Sequence, residues 1–475
     1  MTVKTLMILL DSADPMLLRD WAAGGQLPVI ASILETGDHR GIENMPGFGS
    51  GVYWPSIFTG LDASFHGRYY KVQPQPPDYV VEDFLKNFHA RPFWAELEEQ
   101  GRQIAVLDAP ESPIAGLQKG IEVYDWLSHR PDGPASSLPP TLISDLKKRF
   151  GDDPFEGNSG MAFRRGMSEA EVIRRSTQRT RIRTDATLDL MSARDWDLFL
   201  VNYSEPHCIG HLLWHLHEGK SQTSAGSDES PLLRCYREID TAIGRLLPSV
   251  EPGGKILVVL GPGMESMVTF NHLLPEILRS FQGMERKPAK RFLSNSATRL
   301  MVSGKLPNRL SLALRQLKRR LASKARGLTR QRYYAVPNND NAGAVRISLR
   351  GREPGGLVEP GAEYDALCDE ISKRLLAIRD AAGEKPIVSE IVKVRSDYDG
   401  PNLDLLPDLF VIWNREAAAE SIKLPDIGTM ENTNYGVRSG DHTQFGMLIS
   451  NFELPASVPP NLSPMEVTGV LTAAV

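Results

Sequence analysis

The sequence predicts an α/β fold in which a mostly parallel central sheet is covered by helices on both faces. Several short apolar runs have the length and composition of buried strands, and helical patterns separate them along the chain. This alternation is typical of sheets built from βαβ units. The predicted strands are residues 6–10, 104–107, 198–203, 256–260 and 409–413.

Length and composition set the next expectations. A chain of 475 residues exceeds what one hydrophobic core usually supports, so we expect a large α/β domain with an added cap or subdomain. The hydrophobic fraction of 41% and the charged fraction of 24% are ordinary for a soluble globular protein. The net charge of −5 gives no reason to expect a nucleic-acid partner, and the oligomeric state is left open.

The sequence favours a cytoplasmic location. The apolar run near the N-terminus is about five residues long, too short for the core of a signal peptide. No run of about 18 apolar residues occurs, so no membrane span is expected. Cys208, Cys235 and Cys368 are too few and too scattered for a disulfide framework, which fits a reducing compartment.

One segment differs from the rest in charge. Residues 284–332 contain fifteen lysines and arginines but a single acid, Glu285. Within it, residues 308–326 have leucines at helical spacing beside basic side chains, which predicts an amphipathic basic helix. A solvated cap helix explains this pattern. A lid that attracts an anionic substrate, or a contact with a membrane surface, explains it as well.

Polar residues follow several predicted strands where each strand ends. In parallel α/β sheets, ligands bind at the carboxyl ends of the strands. This rule places Asp11, Asp108 and the segments after Tyr203 and Leu260 on one edge of the sheet. We therefore expect the chemistry of the protein at that edge.

A histidine-rich segment follows one of these strands. Four of the ten histidines lie within eleven residues, and His207, His211 and His215 are spaced by four, which places them on one face of a helix. Neutral imidazoles on one face are a common way to hold Zn²⁺. A histidine-rich surface helix is the alternative, and the position after a central strand favours a ligand site.

Two further segments are candidates for the same site. His442 lies in a polar loop flanked by glycine, before an apolar strand at residues 447–449. Ser50 follows Gly47 and Gly49 and opens a predicted helix, where free backbone N–H groups and the helix dipole favour an anion. That position suits a nucleophile that attacks a phosphoryl or sulfuryl group. A simple N-cap serine is the alternative.

Taken in chain order, these segments resemble the alkaline phosphatase superfamily, most closely its branch of type I phosphodiesterases and nucleotide pyrophosphatases. The likeness spans nearly the whole chain. It implies an alkaline-phosphatase-like α/β core in two segments, 1–280 and 333–475, with a basic helical cap inserted at 281–332. The residues that carry it are Asp11, Ser50 with Trp54, Thr59-Gly60, His66-Gly67, Asp197, His207 with His211, and Gly440-Asp441-His442.

The resemblance implies a metal site at His207, His211 and His442. The family usually has an aspartate where this sequence has His207, so the site here consists of three histidines. Three histidine ligands leave a fourth position open for water or substrate, as in catalytic zinc sites. One zinc ion is therefore expected, with manganese or iron as alternatives.

The resemblance also implies that a second metal site is degraded. The family's second site takes the early Asp, the nucleophile and the pair from an Asp-His-Gly-Met motif. Asp11 and Ser50 match the first two, but the motif here reads Gly261-Pro262-Gly263-Met264, without either ligand side chain. Asp11 and Ser50 could hold only a weak second site, unless another acid substitutes. The acids considered for that role are Asp14, Glu265 and Asp441.

Roles for the remaining candidates follow. Ser50 is expected to attack the substrate or to hold its anion, and Asp11 to orient Ser50 or act as a base. Three residues are expected to support the metal ligands from outside, namely Glu205, His215 and Asp441. The other histidines, His39, His66, His89, His129 and His272, are expected to be structural or surface residues.

The sequence departs from the family pattern close to Ser50. The family has proline two residues before the tryptophan, whereas Val52 stands there and Pro55 follows Trp54. Because proline fits best in the first turn of a helix, the helix would begin later and displace Ser50.

Three functions are compatible with this reading. The first is a metal-dependent hydrolase or group-transfer enzyme that acts on a phosphate or sulfate ester or anhydride, a small anionic substrate such as a nucleotide-like molecule. The second is non-hydrolytic lyase or transferase chemistry, which a changed metal set would permit. The third is a metal-containing pseudoenzyme or binding protein, because fold alone does not fix function.

Overall fold

The first apolar run of the sequence forms the middle strand of a large sheet. In the computed structural model of the protein, which describes residues 1–77, 79–83, 90–112, 114–129, 134–218, 229–284, 331–432 and 438–475, this strand runs from Val3 to Leu10. All its residues except Lys4 are buried. It pairs in parallel with Trp196–Tyr203 on one side and with Val250–Leu260 on the other.

The secondary structure alternates between strands and helices along most of the chain. The strands are β1 (Val3–Leu10), β2 (Asp38–Glu43), β3 (Val72–Gln75), β4 (Val80–Asp83), β5 (Ile104–Leu107), β6 (Ile121–Tyr124), β7 (Ser136–Leu138), β8 (Trp196–Tyr203), β9 (Val250–Leu260), β10 (Met264–Ser266), β11 (Tyr333–Val336), β12 (Ala342–Ile347), β13 (Arg379–Asp380), β14 (Val388–Lys393), β15 (Leu409–Trp413), β16 (Ser421–Leu424), β17 (Gly428–Glu431), β18 (Gly440–His442), β19 (Phe445–Ser450) and β20 (Asn461–Leu462). The helices are α1 (Pro15–Ala23), α2 (Pro28–Thr36), α3 (Ser50–Thr59), α4 (Ala63–His66), α5 (Phe93–Glu99), α6 (Leu142–Phe150), α7 (Glu169–Met191), α8 (Glu205–His217), α9 (Pro231–Leu246), α10 (Leu274–Phe281), α11 (Ala362–Leu376), α12 (Val394–Asp397) and α13 (Pro464–Ala473).

The central sheet has nine strands in the order β20-β2-β19-β9-β1-β8-β5-β6-β7. The five strands from β9 to β6 run parallel, whereas β19 is antiparallel to both of its neighbours and β7 is antiparallel to β6. The expected mostly parallel sheet is thus confirmed, with antiparallel pairing toward both ends.

Alternate residues of β1 enter two separate hydrophobic cores, as the two-residue period of a strand requires. Leu6, Ile8 and Leu10 belong to a core that includes buried residues of α1, α2, α7, α8 and α9. Met7 and Leu9 belong to a core on the other face with residues of α3, α5 and α13. Helices therefore cover both faces of the sheet, as predicted.

A smaller sheet stands apart from the central one. It has the order β11-β12-β15-β14, and every pair in it is antiparallel. The strand at residues 409–413 is confirmed, but its expected place in the parallel sheet was wrong. Leu409 and Val411 enter a core shared with α10 and α11, while Phe410 enters a different core on the opposite face. Burial on both faces produces the same continuous apolar run in either type of sheet, so the sequence did not distinguish them.

Parts of the predicted organisation fall outside the described residues. The basic helix lies within 285–330, so the insertion at 281–332 and its role stay predictions. Within the part of the chain that the structure describes, no helix is long and apolar enough to cross a membrane. Cys208, Cys235 and Cys368 are buried and form no disulfide.

The carboxyl ends of the parallel strands meet at one edge, as expected. Asp11 follows β1, Asp108 follows β5, Ser204 follows β8 and Gly261 follows β9. Backbone bonds tie these ends together, since Asp11 N donates to Tyr203 O and Gly261 N to Leu10 O. This edge carries the candidate site.

Candidate metal centre

Helix α8 supplies two histidines to the edge of the sheet. It starts directly after β8, with Ser204 as its N-cap residue, Glu205 in its first turn and Pro206 where a missing N–H costs nothing. His207 and His211 lie one turn apart on the same face, and both are almost fully buried. The predicted helical spacing is therefore confirmed.

A short ribbon brings the third histidine to the same place. Strand β18 pairs antiparallel with β10, so that His442 lies opposite Met264. The ribbon rests on α8 through close approaches of glycine. A Cβ atom on Gly440 would lie 2.3 Å from the Gly210 carbonyl oxygen, and one on Gly210 would lie 2.8 Å from Met264 Cγ. A larger residue at either position would push the ribbon off the helix.

The three imidazole rings converge. The ring centroids of His207, His211 and His442 are 4.7–4.8 Å apart in each pair, and Nε2 of His211 lies 3.2 Å from Nε2 of His442. The group has the residue types and spacing to hold a metal ion. The residues that the sequence placed together are therefore together in the structure.

Hydrogen bonds and burial set the protonation of the rings. Nδ1 of His211 lies 2.7 Å from the carbonyl oxygen of Gly440, which can only accept, so this nitrogen carries the proton and Nε2 carries a lone pair. Burial lowers the pKa of His211 well below its ordinary value, and nearby Arg438 lowers it further. Burial likewise lowers the pKa of His442 well below the usual range. Both rings are neutral at pH 7.

These properties fit a metal ion. Metal ligation requires neutral imidazole, and a backbone acceptor on the remote nitrogen is the usual support of such a ligand. Two nitrogens bound to one tetrahedral zinc ion are about 3.3 Å apart, given zinc–nitrogen bonds of about 2.05 Å. The 3.2 Å between the Nε2 atoms of His211 and His442 matches that spacing.

Asp11 contacts His207 rather than Ser50. Its Oδ2 atom accepts a hydrogen bond of 2.8 Å from Nδ1 of His207, and its Oδ1 atom accepts one of 2.9 Å from Nε1 of Trp54. A carboxylate that fixes the Nδ1 proton leaves Nε2 of the ring with its lone pair. The predicted place of Asp11 in the site is thus supported, while its contact partner differs from the expected one.

His129 is a site residue that the sequence analysis missed. It was expected to be a surface or packing residue, but its ring stacks on His207 with centroids 3.8 Å apart, and its Nδ1 lies 3.5 Å from Oδ2 of Asp11. The segment that holds it follows β6, another parallel strand. That strand contains the buried charged residue Glu122, so it did not read as an apolar run. Applying the rule of carboxyl ends to β6 would have found His129.

Ser50 opens α3, as predicted. The helix starts at Ser50, its N-cap is Gly49, and no side chain caps it. The expectation that Pro55 would make the helix begin later was wrong. Residues 50–58 are all buried, and this packing outweighs a proline penalty of about 3 kcal/mol inside the helix. Ser50 therefore stands at the N-terminus of α3, where an anion would be favoured.

The acids considered for a second metal site have other partners. Asp14 caps α1 through the N–H groups of Met16 and Leu17. Glu265 lies 3.3 Å from Arg415. Asp441 Oδ2 lies 4.0 Å from Arg415, and burial raises the pKa of this carboxyl group.

The three residues expected to support the metal ligands have different contacts. His215 Nδ1 is 2.9 Å from Ser439 Oγ, and Ser439 in turn donates its N–H to the His211 carbonyl. Asp441 directly precedes His442 and is buried. Glu205 instead lies 3.7 Å from Arg183, and burial raises the pKa of its carboxyl group. A supporting role for these three residues stays a prediction.

The three histidines lie on the wall of a small cleft. Ser50 and the site aspartate Asp441 line it, and two cationic side chains do so as well, Lys71 and Arg438. Arg438 also lies 3.5 Å from Asp340, which lines the same cleft. Because the acid Glu111 lines it as well, the cleft combines a metal-binding group and a hydroxyl with side chains of both charges.

The fold and this site define an α/β enzyme of the alkaline phosphatase superfamily. The sequence profile of the type I phosphodiesterase / nucleotide pyrophosphatase family matches residues 5–433, and the chain belongs to this family. Its members are hydrolytic enzymes that act on phosphate esters. No curated protein sequence matches the chain.

Solved structures share the fold at low sequence identity. Phosphonoacetate hydrolase from Sinorhizobium meliloti 1021, in complex with phosphonoacetate, has 14% identity and a TM-score of 0.57, over 100% of this chain and 96% of that one. Murine ectonucleotide pyrophosphatase / phosphodiesterase 5 has 13% identity and a TM-score of 0.50, over 99% of this chain and 94% of that one. At such identities these likenesses concern the fold.

Proposed function

We propose that the protein hydrolyses a small phosphate ester or phosphonate at one zinc ion held by His207, His211 and His442. The observation that carries this proposal is the convergence of three buried rings on the wall of a cleft that Ser50 also lines. Three protein ligands leave a fourth coordination position for water or substrate, which favours catalysis over a closed structural metal site and thus over a pseudoenzyme. The cytoplasmic location predicted from the sequence is part of the same proposal.

The rings would hold the ion, and their surroundings would keep them in the tautomer and the neutral state that metal binding requires. Gly440 fixes the tautomer of His211, Asp11 fixes that of His207, and burial keeps His211 and His442 neutral. When bound, a cation with an open position supplies a Lewis acid for a phosphoryl oxygen, or a hydroxide at neutral pH.

The substrate anion would lie at the start of α3. The first N–H groups of a helix lack partners within the helix, and the helix dipole favours negative charge there. The cations Lys71 and Arg438 line the same cleft, beside the acids Glu111, Asp340 and Asp441. The resemblance to phosphonate and nucleotide enzymes supports a small anionic substrate with a phosphoryl group.

Ser50 would act as the nucleophile. Its hydroxyl would lose its proton to solvent as the oxygen forms a bond to phosphorus, and the bond from phosphorus to the ester oxygen, or to carbon in a phosphonate, would break. The leaving group would take up a proton from solvent, and water would then cleave the phosphoserine to release the phosphate. Positioning at the helix N-terminus would place the negative charge of the phosphoryl group against the backbone N–H groups.

Turnover of a panel of phosphate monoesters, phosphate diesters and phosphonates by the zinc-loaded protein tests this proposal. We expect His211→Ala and Ser50→Ala to lower kcat/KM by at least about a hundredfold. The matched controls are the exposed residues His39 and Ser389, and we expect His39→Ala and Ser389→Ala to behave as the unmutated protein. Unchanged turnover in both site variants would overturn the proposal.

A further inference from the structure

A second group of side chains at the edge of the sheet also has the types of metal ligands. Asp11, His129 and His207 offer ligand atoms within 4.8 Å of one another. His207 belongs to this group and to the three-histidine group alike. The two groups could therefore hold two ions. Alternatively, the residues of the second group could position the ligands of a single ion in the first.

The contacts of Asp11 leave little room for a cation. Its Oδ1 atom accepts from Trp54 Nε1 at 2.9 Å and from Ser12 Oγ at 3.4 Å. Its Oδ2 atom accepts from His207 Nδ1 at 2.8 Å, and His129 Nδ1 lies 3.5 Å away from the same atom. An ionised carboxylate has about four lone-pair positions, and three hydrogen-bond donors take up most of them, with His129 close beside. Asp11 thus has the environment of a hydrogen-bond acceptor.

The orientation of the two rings also disfavours a shared ion. The rings of His129 and His207 are stacked, with centroids 3.8 Å apart and planes at 24°. An imidazole nitrogen binds a cation along its lone pair, which lies in the plane of the ring. Two nearly parallel rings cannot direct both lone pairs at one ion between them, and His207 Nδ1 already donates to Asp11.

The space next to Asp11 is filled by protein where the family motif would bring a ligand. A Cβ atom on Gly261 would lie 2.7 Å from the backbone nitrogen of Ser12 and 3.0 Å from Cζ2 of Trp54. An aspartate at this position would therefore meet the indole ring that donates to Asp11. The donor set of a second metal site does not fit here.

From these contacts we infer that Asp11 is a positioning residue for His207, and that the protein carries one cation per chain. Asp11 holds the Nδ1 proton of His207, His129 packs against the face of that ring, and Trp54 anchors Asp11. The carboxylate for which the resemblance implied a place in a second metal site thus supports a ligand of the first site. This inference rests on the three-histidine site of the proposed function.

Metal binding by the purified full-length chain tests the inference. We expect one zinc ion per chain by elemental analysis, both for the unmutated protein and for Asp11→Asn. Zinc affinity from chelator competition should fall about 10- to 100-fold in Asp11→Asn. The visible spectrum of the cobalt-loaded protein should also shift, because the orientation of His207 changes. Asp240→Asn is the matched control, since Asp240 is a buried acceptor of the Val29 and Ile30 N–H groups in another part of the fold.

Three results would overturn the inference: two zinc ions on the unmutated protein, the loss of an ion in Asp11→Asn at unchanged remaining affinity, or zinc affinity in Asp11→Asn equal to that in Asp240→Asn. If Asp11→Asn does not fold, His129→Ala replaces it. That variant should keep one ion, and a fall from two ions to one would contradict us. If the protein binds one ion but turns over no ester, the proposed function is wrong while the inference about Asp11 still stands.

Discussion

At the scale of single residues, His66 shows how burial fixes a protonation state. Its Nδ1 atom accepts from the N–H of Arg68 at 3.1 Å, and its Nε2 atom lies 3.2 Å from Ser56 Oγ. Because a protonated Nδ1 would face a backbone donor, only the neutral ring satisfies these contacts. Burial lowers the pKa of His66 to about 3, and Arg68 lowers it further. The ring is therefore structural, as the sequence analysis expected.

This depressed pKa predicts a pH dependence of stability. Below pH 6.5 the unfolded chain binds a proton at His66, whereas the folded chain does not until about pH 3. The contribution of the neutral ring to the free energy of unfolding is thus fully present above pH 6.5. It decreases as the pH is lowered below 6.5, by up to about 1.4 kcal/mol per pH unit. His66→Gln should flatten the urea-unfolding profile between pH 4.5 and 7.5. The exposed His39→Gln should not, and equal profiles for the two variants would refute the prediction.

Single residues also show where sequence reasoning stopped. His207, His211 and His442 were found because their spacing and their resemblance to a family motif survive in the sequence. His129 was missed because the strand before it is partly charged. The role of Trp54 was missed because nothing in the sequence reveals that its indole fills the space beside Gly261.

At the scale of elements, the site depends on a contact between the smaller sheet and the β10–β18 ribbon. Arg415 follows β15 of the smaller sheet, and its guanidinium donates to the carbonyl oxygens of His442 at 2.6 Å and Ser266 at 3.4 Å. It also pairs with Glu265 at 3.3 Å. Since these residues form both strands of the β10–β18 ribbon, Arg415 holds the ribbon that presents His442 to α8.

Loss of this clamp, the contacts of Arg415 with the β10–β18 ribbon, should weaken metal binding. In Arg415→Met the ribbon loses its hydrogen bonds to the smaller sheet, so we expect zinc affinity to fall about tenfold or more. Chelator competition measures this change. Arg374→Met is the matched control, because Arg374 also donates to a backbone carbonyl, that of Phe281 at 2.6 Å, within the smaller core. Equal zinc affinities for the two variants would show that the clamp does not act on the metal centre.

At the scale of the whole molecule, the proposed ligands join distant parts of the chain. His207 and His211 belong to a helix of the central sheet, whereas His442 belongs to a ribbon near the C-terminal strands. A cation bound to all three connects these parts only in the folded state. Metal binding should therefore stabilise the fold.

Zinc at a hundred times its dissociation constant should raise the free energy of unfolding by about 2.7 kcal/mol. Thermal melts with zinc and with a chelator measure the effect. His211→Ala should melt at the same temperature in both conditions, while the exposed His39→Ala should keep the zinc-dependent shift. A zinc-dependent shift that persists in His211→Ala would place the ion elsewhere.

The sequence by itself determined the α/β class, four of the five predicted strands in the parallel sheet, the edge that carries the site and its three histidines. The class, the strands and the edge follow from local patterns, namely apolar runs and strand ends, whereas the set of three histidines follows from helical spacing together with the resemblance to a family. Only the tertiary structure decided the antiparallel place of β15, the start of α3 at Ser50, and the engagement of Asp11 with Trp54 and His207. Those outcomes depend on which side chains pack together although they are distant in the sequence. The spacing of residues along the chain does not specify such contacts.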